Sequence, residues 1–429
     1  METTLMKYPI GVQNFESLRR EGYTYVDKMT MLSFVGKLLS VEMKNLCCII
    51  VVMALNAMLL SSCTKEGDVV YCPDPSEPVV DSAPLVTVIY NADALGDRSY
   101  NDLIFHGVEE AARARGLRTM HLSPDSYDEG KDYLATMFQM VANTKNDTVR
   151  RLYIVCAAGY DAYIREHSKV FDENPYAHLL YLETPYPLEG SSSTLYLPYY
   201  GAMYLTGAVQ PVIAEYVHVV AANPVDETVA GAVKGFCDGF NADYYEVNMM
   251  RLYHELYPDY YTEADVENYQ NTWKKALSVR YLSEQSGGGY NMPSSYFLKM
   301  LRELEESSPM EYIRPVIVPV CGGSSSTLRY LMETLGWGYY IGIDADVNTS
   351  LCSMSCVKHI DRAVGRCIDQ WLSPGGMPHH QVLGLAEGYT ECVSHFEKID
   401  SQAVDFFIPD TMYQRIYDDA VRKEKAYGK

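Results

Sequence analysis

From Leu85 onward, short apolar runs alternate with longer stretches in which apolar side chains recur every three or four positions. Leu85–Tyr90 (LVTVIY) reads as a strand, and 152–157, 178–183, 217–222, 278–282, 315–320 and 339–343 repeat the pattern. Between them lie segments of helical length and period: 102–115, stopped by Gly116, then 225–240 and 294–306. Strands alternating with helices of 10–15 residues predict parallel sheets with helices on both faces. Over so long a chain, two doubly wound α/β lobes fit better than one sheet. No internal repeat is visible. Residues 64–84 are rich in Pro, Asp and Ser without periodicity and read as a tether.

The one remaining long apolar run lies earlier. From Leu46 to Leu60 every residue is apolar except Asn56, preceded by Met43 and Lys44 and followed by Ser61-Ser62-Cys63. The run is too short for a bilayer, which needs roughly 17–25 residues, but it suits the apolar core of an export signal. The segment 43–63 resembles a bacterial lipoprotein signal, in which cleavage precedes a cysteine that then carries the lipid. That resemblance implies a product beginning at Cys63, outside the cytoplasm and membrane-anchored through its lipid. A different likeness marks residues 1–42, where MKYPIGVQNFESLRREGYTYVDKMTML resembles the amino-terminal edge of an AAA-ATPase-like family. The phosphate-binding loop G-x-x-x-x-G-K-[ST] is not completed: Phe34-Val35-Gly36-Lys37-Leu38-Leu39 lacks the first glycine and the hydroxyl. The expectation is an extraneous fragment, from a misplaced start or a gene fusion, with no ATPase activity.

Charge narrows the choice of partner. The 429 residues carry a net charge of −21, which argues against a nucleic-acid footprint, since that requires clustered basic residues. Eleven cysteines invite a disulfide reading in an oxidising compartment. However, Cys47 and Cys48 leave with the signal, Cys63 takes the lipid, and the other eight form no C-x-x-C pair. Small buried thiols are expected, with Cys352 and Cys356 placed on a helix. His379-His380 have no metal-ligand spacing around them, and no nucleophile–base pair emerges.

In doubly wound sheets ligands sit beyond the carboxyl ends of strands, so residues just after strands are the ones to read. Asn91–Asp102 (NADALGDRSYND) joins the first strand to the first helix. There Asn101 and Asp102 suit helix capping and Tyr100 suits a surface aromatic, but all three also suit a ligand. Gly159-Tyr160-Asp161 follows a second strand, with Asp161 either a first-turn carboxylate or an acceptor. Gly322-Gly323-Ser324 follows a third and offers either a tight turn or a polar cradle of backbone amides. After a fourth, Asp344 and Asp346 suit a turn or a ligand, and Lys358 a solvated helix charge or a donor.

Taken in order, these segments resemble the basic membrane protein family of substrate-binding lipoproteins, which includes purine-nucleoside receptors. Gly96–Asp102 matches its G-D-x-S-[FY]-N-D loop, Gly159-Tyr160 its G-[FY] pair, and Gly235-Phe236-Cys237-Asp238-Gly239-Phe240 its G-F-x-x-G-F helix. Gly322-Gly323 matches its G-G turn. Ile341–Val364 matches I-G-V-D-x-D-Q with S-x-x-K-x-x-D-x-A-V, except that Val347 stands for the glutamine. The Tyr-rich stretch 244–281 has no counterpart in the family pattern.

The resemblance implies a type I periplasmic-binding-protein fold, with two lobes joined by three crossings near 195–200, 344–348 and 382–385. Lobe 1 would comprise 85–196 with 346–381, and lobe 2 would comprise 197–345 with 382–429. It also implies a receptor rather than an enzyme, holding a purine nucleoside between the lobes and delivering it to an ABC-type permease. Tyr100 and Tyr290 would face the base, Asn101 its polar edge, and Asp161 and Asp344 the sugar hydroxyls, with Asp102 a further ligand-binding candidate. Lys358 would donate to the sugar or balance the carboxylates, and Gly322-Gly323 would approach with their backbone. No cofactor is implied. A sugar or other small polar ligand, a nucleoside-processing enzyme and a structural surface lipoprotein are the alternatives.

Overall fold

The computed structural model describes residues 82–428, apart from 211–215, 245–253, 255–257, 268–275, 283–288, 308–314, 396–409 and a few single positions. The lipoprotein signal, Cys63 and the fragment 1–42 lie outside the described residues. Contacts divide the chain at Pro78, and everything below belongs to the second unit, Val79–Lys429.

Two six-stranded sheets form, each built the same way. The first contains β1 (Leu85–Ile89), β2 (Arg118–Leu122), β3 (Arg151–Val155), β4 (Ala177–Leu182), β5 (Ser193–Tyr196) and β11 (His380–Val382), in the order β11-β5-β4-β3-β1-β2. The second contains β6 (Tyr216–Ala221), β7 (Ala276–Tyr281), β8 (Val316–Val320), β9 (Tyr339–Asp344), β10 (Cys352–Lys358) and β12 (Thr390–Ser394), in the order β12-β10-β9-β8-β6-β7. The first sheet is parallel throughout, and in the second only β12 runs antiparallel, against β10. The strand order reverses beside β1 in one sheet and beside β6 in the other. Such reversals open a crevice at the carboxyl ends of the strands.

The central strands are nearly continuous apolar runs because both faces are covered. In the first lobe, α1 (Tyr100–Arg115) and α8 (Ile360–Leu372) cover one face through Ile104, Val108, Val364 and Ile368. Leu134, Phe138 and Val141 of α2 (Tyr127–Asn143) and Ile164 of α3 (Asp161–His167) cover the other. The second lobe packs around Met203 and Leu205 of α4 (Tyr200–Val209), Phe236 and Phe240 of α5 (Glu227–Asn241), Leu328 of α7 (Gly323–Leu335) and Ile416 of α9 (Asp410–Tyr427). An amphipathic helix, α6 (Ser294–Ser307), precedes β8. Among the described residues no helix is long and apolar enough to cross a membrane.

Two sequence motifs acquire physical explanations here. Gly116 ends α1 in the left-handed conformation, φ 63°, with its N–H on the Ala112 carbonyl, where a side chain would be strained. The glycines of Gly235–Phe240 let α5 touch α4: a methyl on Gly235 would overlap the Tyr200 carbonyl, and one on Gly239 the Tyr204 carbonyl.

Two expectations are corrected. Cys352 and Cys356 lie on β10, a strand with all seven residues buried, and not on a helix. Because β10 belongs to the second sheet, that sheet extends to Lys358 and the chain returns to the first lobe only at α8. Residues 346–358, expected with the first lobe and its crossing, therefore belong to the second. The other passages between sheets run from β5 to α4 and from β11 to β12.

Candidate functional site

The loops after β1, β4, β9 and β10 bring one lysine and several carboxylates together. Lys358 ends β10 and is almost wholly buried, its side chain 3% exposed. Its ammonium donates to Glu183 Oε1 at 3.0 Å, and it lies 4.6 Å from the centroid of the Tyr199 ring and 5.5 Å from that of Tyr100. Desolvation of such a charge is tolerated only with this kind of pairing. Glu183 follows β4 with φ 58°, and Asp344 ends β9 with φ 68°. Non-glycine residues in that region are uncommon and cluster at functional sites. The Asp344 N–H donates to Tyr199 Oη at 2.8 Å, and that hydroxyl donates to the Cys356 carbonyl at 2.5 Å.

Burial dominates the electrostatics. It pushes the Asp344 carboxyl up to about 6, with Asp97 and Glu183 adding to the rise and Lys358 opposing it. It also pushes the Glu183 carboxyl up, against the pull of Lys358. The Tyr100 hydroxyl is raised well above its usual value by burial first, then by Glu183, Cys156 and Asp344. Tyr100 lies beside the Glu183 carboxyl, and neither Tyr100 Oη nor Glu183 Oε2 has a well-formed hydrogen bond.

Asp97 organises the start of α1. Its Oδ1 accepts from the Ser99 N–H at 2.8 Å and its Oδ2 from Asn101 Nδ2 at 2.8 Å and the Asn101 N–H at 3.1 Å. Asn101 is thereby fixed by its amide nitrogen, while its Oδ1 is buried without a partner. Asp102 turns back on the loop and accepts from the Gly96 N–H at 2.8 Å. The two lobes meet at this loop: Ser326 donates to the Asp97 carbonyl at 2.6 Å, and Ser99 donates to the Ile343 carbonyl at 3.2 Å.

The remaining expected residues have partners of their own. The Tyr290 hydroxyl donates to Asp226 at 2.6 Å, and Asp226 caps α5 by accepting from Thr228 and Val229. A methyl on Gly322, which has φ 55°, would come within 3.0 Å of the Tyr290 ring. The amide cradle expected beyond Gly322-Gly323 is largely used internally. The Ser324 N–H bonds to the carbonyls of Tyr290 and Cys321, and the Ser325 N–H to that of Gly322. Asp161 opens α3 and pairs with Arg165 at 2.8 Å, its side chain 43% exposed. Asp346 faces away and pairs with His395 at 2.6 Å.

Tyr100, Asp344 and Lys358 are thus brought together, with Asn101 held beside them. Tyr290, Gly322 and Gly323 sit next to one another, and Asp161 is tied to Arg165. Three members were not singled out from sequence: Glu183, Asp97 and Tyr199. Glu183 had a signal, being a lone carboxylate at the end of the strand predicted over 178–183, directly after Leu179-Leu180-Tyr181-Leu182. Among the described residues no group of His, Cys, Asp and Glu side chains is arranged to hold a metal ion. What the cluster offers is hydrogen-bond acceptors: Asp344, Glu183 and Asp97 around a single buried ammonium.

No family model matches the chain, and no curated protein sequence matches it. Solved structures do. A solute-binding protein of an ABC transporter system from Aeropyrum pernix K1 superposes with a TM-score of 0.52 at 15% identity, covering 80% of this chain and 90% of that one. A transcriptional activator of the comK gene from Bacillus halodurans gives a TM-score of 0.52 at 15% identity over 80% and 98%. A second ABC-system solute-binding protein, from Conexibacter woesei, gives 0.50 at 14% over 80% and 97%. At such identities the likeness is one of fold: two α/β lobes of the periplasmic-binding-protein kind.

Proposed function

We propose that this protein is a lipid-anchored solute-binding receptor of an ABC-type uptake system, and that its ligand is a purine nucleoside. The observation that carries the reading is the acceptor-rich cluster at the strand ends, with Asp344 and Glu183 beside Lys358. Vicinal hydroxyls are the natural donors for such a site, since hydrogen bonds to ionised acceptors are shorter and stronger than neutral ones. Asn101, with its free Oδ1, suits a purine edge. The rings of Tyr100 and Tyr290 suit a base face, a contact worth about 1–3 kcal/mol. The ABC-system neighbours support the receptor role, as does the ordered set of family-like loops.

A thermal-shift screen of the full chain tests the ligand. At a hundred times its Kd a ligand stabilises by about 2.7 kcal/mol, so adenosine, guanosine or inosine should each be scored readily. A sugar is the second reading, because the same carboxylates accept hydroxyls from a pyranose. Response to galactose or glucose with silence from all three nucleosides would move the assignment to that class. The anchor has its own test. Cys63→Ala should leave the protein unacylated and released from the membrane fraction, and unchanged membrane retention would refute the lipid assignment.

A further inference from the structure

β10 and β12 run antiparallel with Cys356 directly opposite Cys392. The type of rung follows from the bonds at either end of the ladder. The His359 N–H donates to the Tyr389 carbonyl and the His395 N–H to the Ser353 carbonyl, each between residues in direct register. Hydrogen-bonded rungs alternate with open ones, so 353, 355, 357 and 359 are bonded and 356 is open. Across an open rung the Cα atoms stand about 4.5 Å apart and the side chains approach most closely. A disulfide spans Cα separations of about 4.4–6.8 Å. Both thiols also face the hydroxyl of Thr206 on α4, which puts them on the same side of the sheet. They are free thiols in this structure.

We propose that Cys356 and Cys392 form a cross-strand disulfide when the protein meets a disulfide oxidant of the glutathione type. One thiol loses its proton and the thiolate attacks the oxidant's S–S bond, releasing half of it as a thiol. The second thiolate then displaces the other half. The pair gives up two electrons and two protons, and one oxidant disulfide becomes two thiols. The new bond closes the chain segment that leaves the second lobe after Lys358, runs through α8 and β11, and re-enters at Thr390. It thereby fastens the roots of two of the three crossings to one another. The inference rests on register alone and is independent of the ligand.

Burial pushes the Cys392 thiol up to about 11 and pushes the Cys356 thiol up as well. Exchange needs the thiolate, so it should be slow at neutral pH and faster toward pH 9. The test is to hold the full chain with oxidised glutathione at pH 8.5, block remaining thiols in denaturant with N-ethylmaleimide, and map unreduced peptides. A linked pair containing Cys356 and Cys392, with a melting temperature several degrees higher that dithiothreitol reverses, is expected. Complete blocking of both thiols, glutathione adducts without the cross-link, or a link from either to another cysteine would overturn it. Cys392→Ser should abolish the reversible shift, and if that variant does not fold, the peptide map of the parent decides alone.

Discussion

Asp344 and Asp346 stand two residues apart at the end of β9, yet their carboxylates have different surroundings. Asp344 is half-buried beside Lys358, Asp97 and Glu183, whereas Asp346 is more exposed and bonded to His395. If the cluster binds hydroxyls, Asp344→Asn removes a charge-assisted acceptor worth about 1.5–3 kcal/mol. Calorimetric titration of the responding ligand should then show affinity weakened by about one to two decades, since about 1.4 kcal/mol is tenfold. Asp346→Asn should leave affinity nearly unchanged. Equal losses at both positions would mean that the assignment of Asp344 to the ligand is wrong. Part of this cluster was legible because loops after strands stand out once the strands are found: Tyr100, Asn101 and Asp344 were read that way, whereas Lys358 was read as a helix charge or a donor and lies at the end of a strand that was not expected. Glu183 and Tyr199 were not legible, because each belongs to a stretch that reads as strand or crossing, and their approach to Lys358 is a tertiary fact with no local period.

The elements tell a similar story about what sequence periodicity can carry. The helices at 100–115, 227–241 and 294–307 and the strands β1, β3, β4 and β6 to β9 were legible, whereas α2 and α9, the longest described helices, and short or mixed strands such as β2, β5, β11 and β12 were not. Leu351–Val357 alternates cysteine, serine and methionine, residues with no strong strand preference, which is why burial on both faces of β10 was invisible in the pattern. At the other end of the chain, α9 carries a carboxylate that caps a junction. Glu424 accepts from the Gly201 N–H at 2.6 Å, at the start of α4, and from the Leu385 N–H at 3.0 Å, between β11 and β12. Burial pushes it up to about 7, the two N–H donors oppose the rise, Glu387 adds to it and Lys425 opposes it. A carboxyl whose folded value is raised keeps a proton that the unfolded chain gives up. Its contribution is complete below about pH 4.5 and is lost as pH climbs through 7. Glu424→Gln cannot ionise, so its stability relative to the parent should improve between pH 4.5 and 7.5, by on the order of 3 kcal/mol. Urea unfolding of both proteins across that range measures the difference, and parallel curves would show that this carboxyl does not titrate with folding.

At the scale of the molecule, the repeated strand order places the site. Each sheet reverses its winding next to its first strand, and the loop that follows β1 meets the start of α7 after β8 and the end of β9 across the lobes. The lobes touch through Ser326 and Asp97, through Ser99 and Ile343, and farther out where the Tyr186 hydroxyl donates to Glu227 at 3.1 Å. This architecture was legible from alternation alone, because parallel strands joined by helices leave few other solutions. The exact crossings were not, because a crossing has no pattern of its own.

The discontinuity of the lobes also bears on how the chain is made. The first sheet begins at Leu85 but gains its edge strand only with His380–Val382, and the second gains its own with Thr390–Ser394. At about 5–20 residues per second, a ribosome leaves roughly 15–60 s between the first strand and the strand that completes its sheet. From its own synthesis until then, roughly 10–40 s at that rate, β5 is an open edge available to wrong partners, and no single cut in the gene would yield two self-sufficient halves. If the chain is exported, as proposed, the same delay works in its favour, since a polypeptide that finishes folding only with its last strands can still be threaded through a translocation channel.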